Sequence, residues 1–231
     1  MLFSNELRPG SQLPPERALA EQFGVGRPLI REVLGRLQER GLVTVVPGRG
    51  SFTREARLTE SGGSVEVVAR RGMVTPRQLI AARRMLESEA AALAAQNRTE
   101  QDLVDLHELV EILDSSDTAQ RLINADVMFH EAIAEASKNP VVQIMFGSIR
   151  NLVEGIVLRS HSDAEVRSIA VPSHHLILDA IESQDSISAR AAMTDHLEVA
   201  SRLYGPDLDR PIRDVIATTP GASRRLGLSP L

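Results

Sequence analysis

The stretch that decides the fold runs from Gly10 to Thr53: GSQLPPERALAEQFGVGRPLIREVLGRLQERGLVTVVPGRGSFT. Pro14-Pro15-Glu16-Arg17 starts a helix, with proline and an acid in its opening turn. Leu19 and Phe23, four residues apart, are its expected apolar face. Gly24 follows as a turn residue. A second helix starts near Gly26-Arg27-Pro28, where proline removes an N–H that had no partner. Ile30, Val33, Leu34 and Leu37 are the expected inward stripe, and Gly41 ends the helix. Leu42–Val46 and Ser51–Thr53 read as two strands around Pro47-Gly48-Arg49-Gly50. Helix, tight turn, helix and hairpin together make the plan of a winged helix-turn-helix.

That plan assigns work to particular arginines. Arg27 and Arg31 share a face of the second helix, on the side away from its apolar stripe. An arginine fork there can bond guanine O6 and N7 together in a major groove, and Pro28 lies in the same first turn. Arg17, in the preceding helix, is placed to hold phosphate. Arg49 tips the hairpin between Gly48 and Gly50, where only a small backbone fits close to DNA. Any one of these arginines read alone is a solvated charge. Their common spacing on the helix-turn-helix favours DNA.

The charge of the whole chain argues the other way until it is divided. The 231 residues carry a formal −5, yet residues 1–57 carry +3 and residues 58–231 carry −8. Nearly all the basic charge is arginine, and Lys138 is the only lysine. A basic head on an acidic body suits a head that meets phosphate. The absence of cysteine excludes a disulfide scaffold, a cysteine-ligated zinc finger and a thiol nucleophile. No uninterrupted apolar run approaches 18 residues and the N-terminus lacks a signal pattern, so neither a membrane span nor secretion is expected.

Residues 1–55 form the head, and 56–76 read as a linker containing Thr59-Glu60-Ser61-Gly62-Gly63-Ser64. From 77 to 205 the chain is helical by period and composition. Thr99-Glu100-Gln101-Asp102 reads as a capping box, and Val171-Pro172 is expected to kink or split a helix over 163–183. Residues 206–231 show no periodicity and read as a disordered tail. The fold class is mainly α: an N-terminal winged helix-turn-helix joined to an all-helical bundle.

Six histidines fall in the body: 107, 130, 161, 174, 175 and 196. Asp126 and His130 project from one helix face, while His174 and His196 lie on later helices. One carboxylate and three imidazoles can close part of an octahedral or tetrahedral metal sphere. Helical bundles build such sites from facing helices. Spacing alone also permits ordinary surface or core histidines.

The head resembles the GntR family of bacterial transcription regulators. The resemblance rests on Gly10-x-x-Leu13-Pro14-x-Glu16-Arg17-x-Leu19-Ala20, Phe23-Gly24-Val25-x-Arg27, Arg31-Glu32-x-Leu34-x-x-Leu37, Gly41-Leu42-Val43 and Gly48-x-Gly50-Ser51-Phe52. Gly26 stands where the family has Ser or Thr, which loses a cap, and Pro28 and Leu29 stand where hydroxyls are common. The family's first helix begins ten or more residues before Gly10. The expectation is therefore that most of that helix is missing and that the native start codon lies upstream.

The body, over about 77–204, resembles the FCD ligand-binding domain of the FadR subfamily. The matching residues are Asp126-x-x-x-His130, His174-x-x-Ile177-Leu178-x-Ala180-Ile181 and Ala191-Ala192-Met193-x-x-His196-Leu197. The resemblance implies an FCD bundle with a metal set of Asp126, His130, His174 and His196, and leaves His175 outside it. It implies Arg83 and Asn139 as effector-binding residues, although Ala81 replaces an acid usual two residues before the arginine. The implied cofactor is a divalent metal, Zn2+ first, with Ni2+ or Mn2+ as alternatives. A small organic acid is the implied effector; lactate, sugar acids and dicarboxylates are typical of the subfamily.

The expected function is a cytoplasmic, homodimeric repressor that binds a palindromic operator in double-stranded DNA. Its affinity would be controlled by a small carboxylate at the metal. An alternative is a regulator in which the cation is itself the signal. An enzyme is not expected: neither His-Glu-x-x-His nor Gly-x-Ser-x-Gly occurs.

Overall fold

The structure is a computed structural model that describes residues 10–39, 42–53, 74–116, 118–161 and 164–219. The described residues fall into two compact units that divide between Thr53 and Val74.

The first unit holds α1 (Glu16–Phe23), α2 (Arg27–Glu39), β1 (Val43–Val46) and β2 (Gly50–Thr53). α1 ends at Gly24, whose φ of 65° is the left-handed cap that glycine takes without steric cost. β1 and β2 pair antiparallel from Val43 opposite Thr53 to Val46 opposite Gly50. The Arg49 N–H donates to Val46 O at 2.9 Å, and Gly48 takes φ 74° behind Pro47. Proline followed by a positive-φ glycine is the pattern of a type II turn. Residues 10–13 add a short third edge: Leu13 N–H donates to Ser51 O, and Thr53 N–H to Ser11 O. The core is Leu13, Leu19, Ala20, Ile30, Leu34, Leu42 and Val43, with Val25 and Leu37 packed against it. Two expected core members are excluded. Phe23 is 57% exposed and Val33 44%, outside the cluster that Leu19, Ala20, Ile30 and Leu34 form with Leu13, Leu42 and Val43. The expected truncation of the first helix falls on residues 1–9, and Gly41 and most of the expected linker also lie outside the described residues.

The second unit is helical. Thr75 opens α3 (Pro76–Asn97) with a complete capping box to Gln78. The expected Thr99–Asp102 box opens α4 (Glu100–Ser115). Then come α5 (Ala119–Ala136), α6 (Pro140–His161), α7 (Ala164–Glu182) and α8 (Ser186–Leu203). α3 packs along α8 and also meets α5, α6 and α7. It can lie this close because its inner face is Ala90, Ala91, Ala94 and Ala95, all at most 1% exposed. Phe129 and Phe146 fill the space between helices, and burial stabilises each by about 1.5–3 kcal/mol. α6 is long and apolar enough to cross a membrane by length and composition. Here its Phe146, Ile149, Leu152, Val153 and Ile156 are core residues. α7 runs unbroken through Pro172, so the expected split does not occur.

The tail differs from expectation. Gly205–Asp209 forms a 3-10 turn and Ile212–Thr218 forms α9. Non-local contacts order them. Tyr204 Oη donates to Ile156 O at 3.1 Å, Ile212 N–H donates to Val74 O at 2.9 Å, and Arg77 grips Asp209 at 2.6 and 2.8 Å. Ile212, Val215 and Ile216 are buried. Residues 220–231 lie outside the described residues.

Candidate functional site

In the head, Gly26 O accepts the Leu29 and Ile30 N–H groups that open α2, with no side chain to add a cap. Arg27, Pro28 and Arg31 are exposed on that first turn. Both arginines turn towards one acid of α1. Arg31 reaches the Glu16 carboxylate through two nitrogens at 3.2 and 2.9 Å, and Arg27 Nη2 stands 3.7 Å from it. Arg17 is exposed and paired with Glu21 at 2.9 Å. Arg49 is exposed at the hairpin tip, where its carbonyl accepts Gln12 Nε2 at 2.8 Å. Gly50 takes φ 104°, a left-handed backbone that favours glycine.

In the bundle, α5, α7 and α8 bring three histidines together. A ring nitrogen from each of His130, His174 and His196 lies within 4.8 Å of the other two. The rings are buried, at 1%, 0% and 6% exposure. Phe129 walls them edge-on, 6.0 Å from His130 and 5.1 Å from His174. Asp126, one turn before His130, puts Oδ1 3.6 Å from His130 Nε2 and Oδ2 3.5 Å from His174 Nε2. The four residues expected to bind metal are therefore neighbours.

Each histidine is held from behind. Pro172 removes one rung of α7, and the next two side chains bond carbonyls in that turn. Ser173 Oγ donates to Ala170 O at 2.6 Å, and His174 Nδ1 lies 3.1 Å from Val171 O. Ser173 Oγ also meets His196 Nδ1 at 2.7 Å. His130 Nδ1 stands 2.7 Å from Glu87 Oε2, with its N–H off the line of a linear bond. Glu87 in turn accepts Arg83 Nε and Nη2 at 2.6 and 3.2 Å. Arg83 thus joins the site through Glu87, a residue the sequence analysis did not single out.

The electrostatics suit a cation. Burial by itself would raise Asp126, but the His161 hydrogen bond, with His174 beside it, outweighs it and holds the carboxyl well below its usual range. Glu87 is likewise opposed by burial, yet Arg83 and His130 bring it down to about 2. Burial first, then His174 and His130, push His196 well below its usual range, so its ring is neutral at pH 7. A neutral ring and an ionised carboxylate are the ligand forms a metal requires. His130 Nε2 and His174 Nε2 are buried with no hydrogen-bond partner among the described residues. Buried nitrogens without a partner are costly unless something occupies the space between them, and the donor set fits a divalent cation.

Asn139 does not join this site. Its Oδ1 accepts Val141 N–H at 3.0 Å and caps α6. Its other side-chain partner is Val142 N–H at 3.5 Å, so its side chain is engaged at the start of α6. The Asn-Pro pair marks a helix start. His175 is exposed against Asp114, as expected of a residue outside the set. His161 was not singled out by sequence. It is buried, and its Nε2 stands 2.8 Å from Asp126 Oδ2.

Comparison with known proteins agrees with both units. Residues 1–53 match the bacterial regulatory proteins, gntR family, and residues 78–199 match the FCD domain. The chain is 31% identical over 205 residues to the HTH-type transcriptional regulator LutR of Bacillus subtilis, covering 85% of this chain and 93% of that protein. It is 31% identical over 206 residues to the Uxu operon transcriptional regulator of Escherichia coli, covering 86% and 80%. It is 30% identical over 214 residues to the HTH-type transcriptional repressor NanR of an Enterobacter, covering 88% and 81%. A GntR protein of Streptococcus agalactiae aligns over 86% of this chain and 92% of its own, with a TM-score of 0.51 and 25% identity. Lar of Listeria monocytogenes shares the fold at a TM-score of 0.59 and 21% identity, covering 86% and 89%. The relatives are transcription regulators and not enzymes. With a helix-turn-helix head and a helical body both matched, the chain belongs to the GntR family: it is a DNA-binding transcription regulator with an FCD effector domain.

Proposed function

We propose that this regulator is a homodimeric repressor whose operator affinity is set by a small carboxylate bound at a divalent metal in the FCD domain. The observation that carries this reading is the convergence of three buried histidines, two with partnerless Nε2 atoms, beside the ionised Asp126. Asp126, His130, His174 and His196 would hold the cation, with Zn2+ the first candidate for a nitrogen-rich set and Ni2+ or Mn2+ behind it. A cation so bound supplies a Lewis acid for carboxylate oxygen. Arg83 offers a second, two-pronged grip, but Glu87 already holds its fork, so the effector's carboxylate must share that fork or displace Glu87 from it.

Residues 1–55 would read DNA, 56–76 would link, and 77–205 would sense the effector. Arg27, Pro28 and Arg31 are the proposed groove-facing turn, with Arg17, Gly48, Arg49 and Gly50 against the backbone. A palindromic operator follows if two heads bind with two-fold symmetry. The apolar row Val141, Ile144 and Met145 on α6, each more than half exposed, supports pairing of two copies. The repressor reading draws on the NanR relatives, which are named as repressors. A cytoplasmic location accords with a DNA partner.

The test is a melting-temperature screen of small carboxylic acids on zinc-loaded and chelated protein, with operator affinity measured alongside. An acid at 100 times its dissociation constant should stabilise the loaded protein by about 2.7 kcal/mol and change operator affinity. The chelated protein should give neither response. His174→Ala should carry less metal. Full stoichiometric metal in that variant would remove His174 from the set. Operator affinity that follows the cation with no acid present would favour the metal as the signal.

A further inference from the structure

A fourth buried imidazole, His161, shares the site, and its proton is arranged opposite to that of the other three. A neutral imidazole has one N–H and one bare nitrogen, and each hydrogen-bond partner fixes which is which. His174 Nδ1 faces Val171 O at 3.1 Å. A carbonyl only accepts, so the proton is on Nδ1. His196 Nδ1 faces Ser173 Oγ at 2.7 Å, and the hydroxyl hydrogen is already donated to Ala170 O at 2.6 Å. The proton is again on Nδ1. His130 Nδ1 stands 2.7 Å from a Glu87 oxygen, which can only accept. All three rings therefore leave Nε2 bare. His161 Nε2 lies 2.8 Å from Asp126 Oδ2, also an acceptor. Here the proton is on Nε2, and the bare nitrogen is Nδ1, buried and partnerless among the described residues.

We infer that His161 is a positioning residue for the metal site, not a ligand: its Nε2–H holds Asp126 Oδ2 and leaves Oδ1 for the cation. This rests on the metal reading above. The 2.8 Å bond to Oδ2 is much shorter than the 3.5 and 3.6 Å approaches of His174 and His130. It therefore sets the rotation of the carboxylate, which its own ligand contacts do not. His161 is the last residue of α6, so this bond also ties the end of that helix to the metal-binding face of α5. Such outer hydrogen bonds orient ligands, and their loss costs about 10–100-fold in metal affinity.

The test is long-range 1H–15N NMR of the full chain labelled at histidine nitrogen, metal-free and with zinc alone added. His161 is expected in the Nε2–H form in both states, and His130, His174 and His196 in the Nδ1–H form. Zinc should shift the bare Nε2 signals of those three and leave His161 Nε2 in place. Zinc affinity by chelator competition should fall about 10–100-fold in His161→Phe, with most of it recovered in His161→Gln, whose amide N–H can reach Asp126. His161 in the Nδ1–H form, or a His161 Nε2 signal that shifts on zinc binding like the ligands, overturns the positioning role. Equal affinity loss in the Phe and Gln variants overturns it as well. A chain that binds no cation overturns the metal reading itself, a separate outcome.

Discussion

Arg83 and Glu87, one turn apart on α3, form a two-bond ion pair at 2.6 and 3.2 Å with side chains only 3% and 2% exposed. Desolvating two charges is expensive, and the pair holds only while each partner neutralises the other. Glu87→Ala leaves a buried guanidinium alone, so a loss of about 3–5 kcal/mol is expected in urea unfolding of the metal-free protein. Replacing both residues, as Arg83→Met with Glu87→Leu, should recover most of that loss. A single Glu87→Ala variant as stable as the parent would contradict the pairing.

Under the proposed groove assignment, Glu16 competes with DNA for Arg27 and Arg31, with which it pairs in this structure. Its carboxyl is held below the usual range, chiefly by the Arg31 hydrogen bond, with Arg27 adding to it. Glu16→Gln should strengthen binding to DNA of any sequence. It should also steepen the salt dependence, by about 0.9 in the log–log slope for each arginine released to phosphate. Arg27→Ala should abolish operator selectivity and leave melting of the helical body unchanged. Titrations at several salt concentrations measure both effects, and unchanged operator affinity in Arg27→Ala would sink the groove assignment.

Local pattern carried much of this structure and non-local contact carried the rest. The Thr99 and Asp102 capping box, the α1–turn–α2 plan and the Asp126–His130 pair depend on residues three or four apart, and spacing alone shows them. Burial of Phe23 and Val33 was expected on the same local ground, yet both lie outside the cluster that the two helices form with the hairpin and Leu13. His161 lies 35 residues from Asp126 and has no pattern that points to it. The turn and α9 at 205–218 are too short for a helical period and are ordered by Val74, Arg77 and Ile156. The Asn139-Pro140 pair carries a local helix-start signal, which the structure uses as a cap, but the resemblance drew Asn139 towards the effector site.

Acid should expose the link between α4 and the end of α5. Burial raises Asp102, but Lys138 Nζ at 2.7 and 2.8 Å and the Thr99 donors outweigh it, so its carboxyl sits below the ordinary 3.8. A carboxyl lowered on folding adds stability that is complete above the unfolded value and is lost as pH falls towards the folded one. The stability difference between the parent and Asp102→Asn should therefore stay constant above about pH 5 and shrink below about pH 4. Urea midpoints across that range measure it, and a difference independent of pH would remove Asp102 from the ion pair.

Gly155 gives the sharpest test that the tail is part of the fold. It lies within α6, where alanine would ordinarily gain about 1 kcal/mol in helix propensity. A Cβ there would meet Ile216 Cδ1 at 2.5 Å and Cγ1 at 3.2 Å. Ile216 is buried in α9 and has little room to move. Overpacking of this kind costs about 1–3 kcal/mol, so Gly155→Ala should be neutral to destabilising by up to about 2 kcal/mol. Ile216→Val deletes the atom in closest conflict. In that background Gly155→Ala should become less costly or stabilising, and the cycle should show a coupling of about 0.5–3 kcal/mol. If the tail were not packed on α6, Gly155→Ala would stabilise equally in both backgrounds, because only the helix propensity would remain.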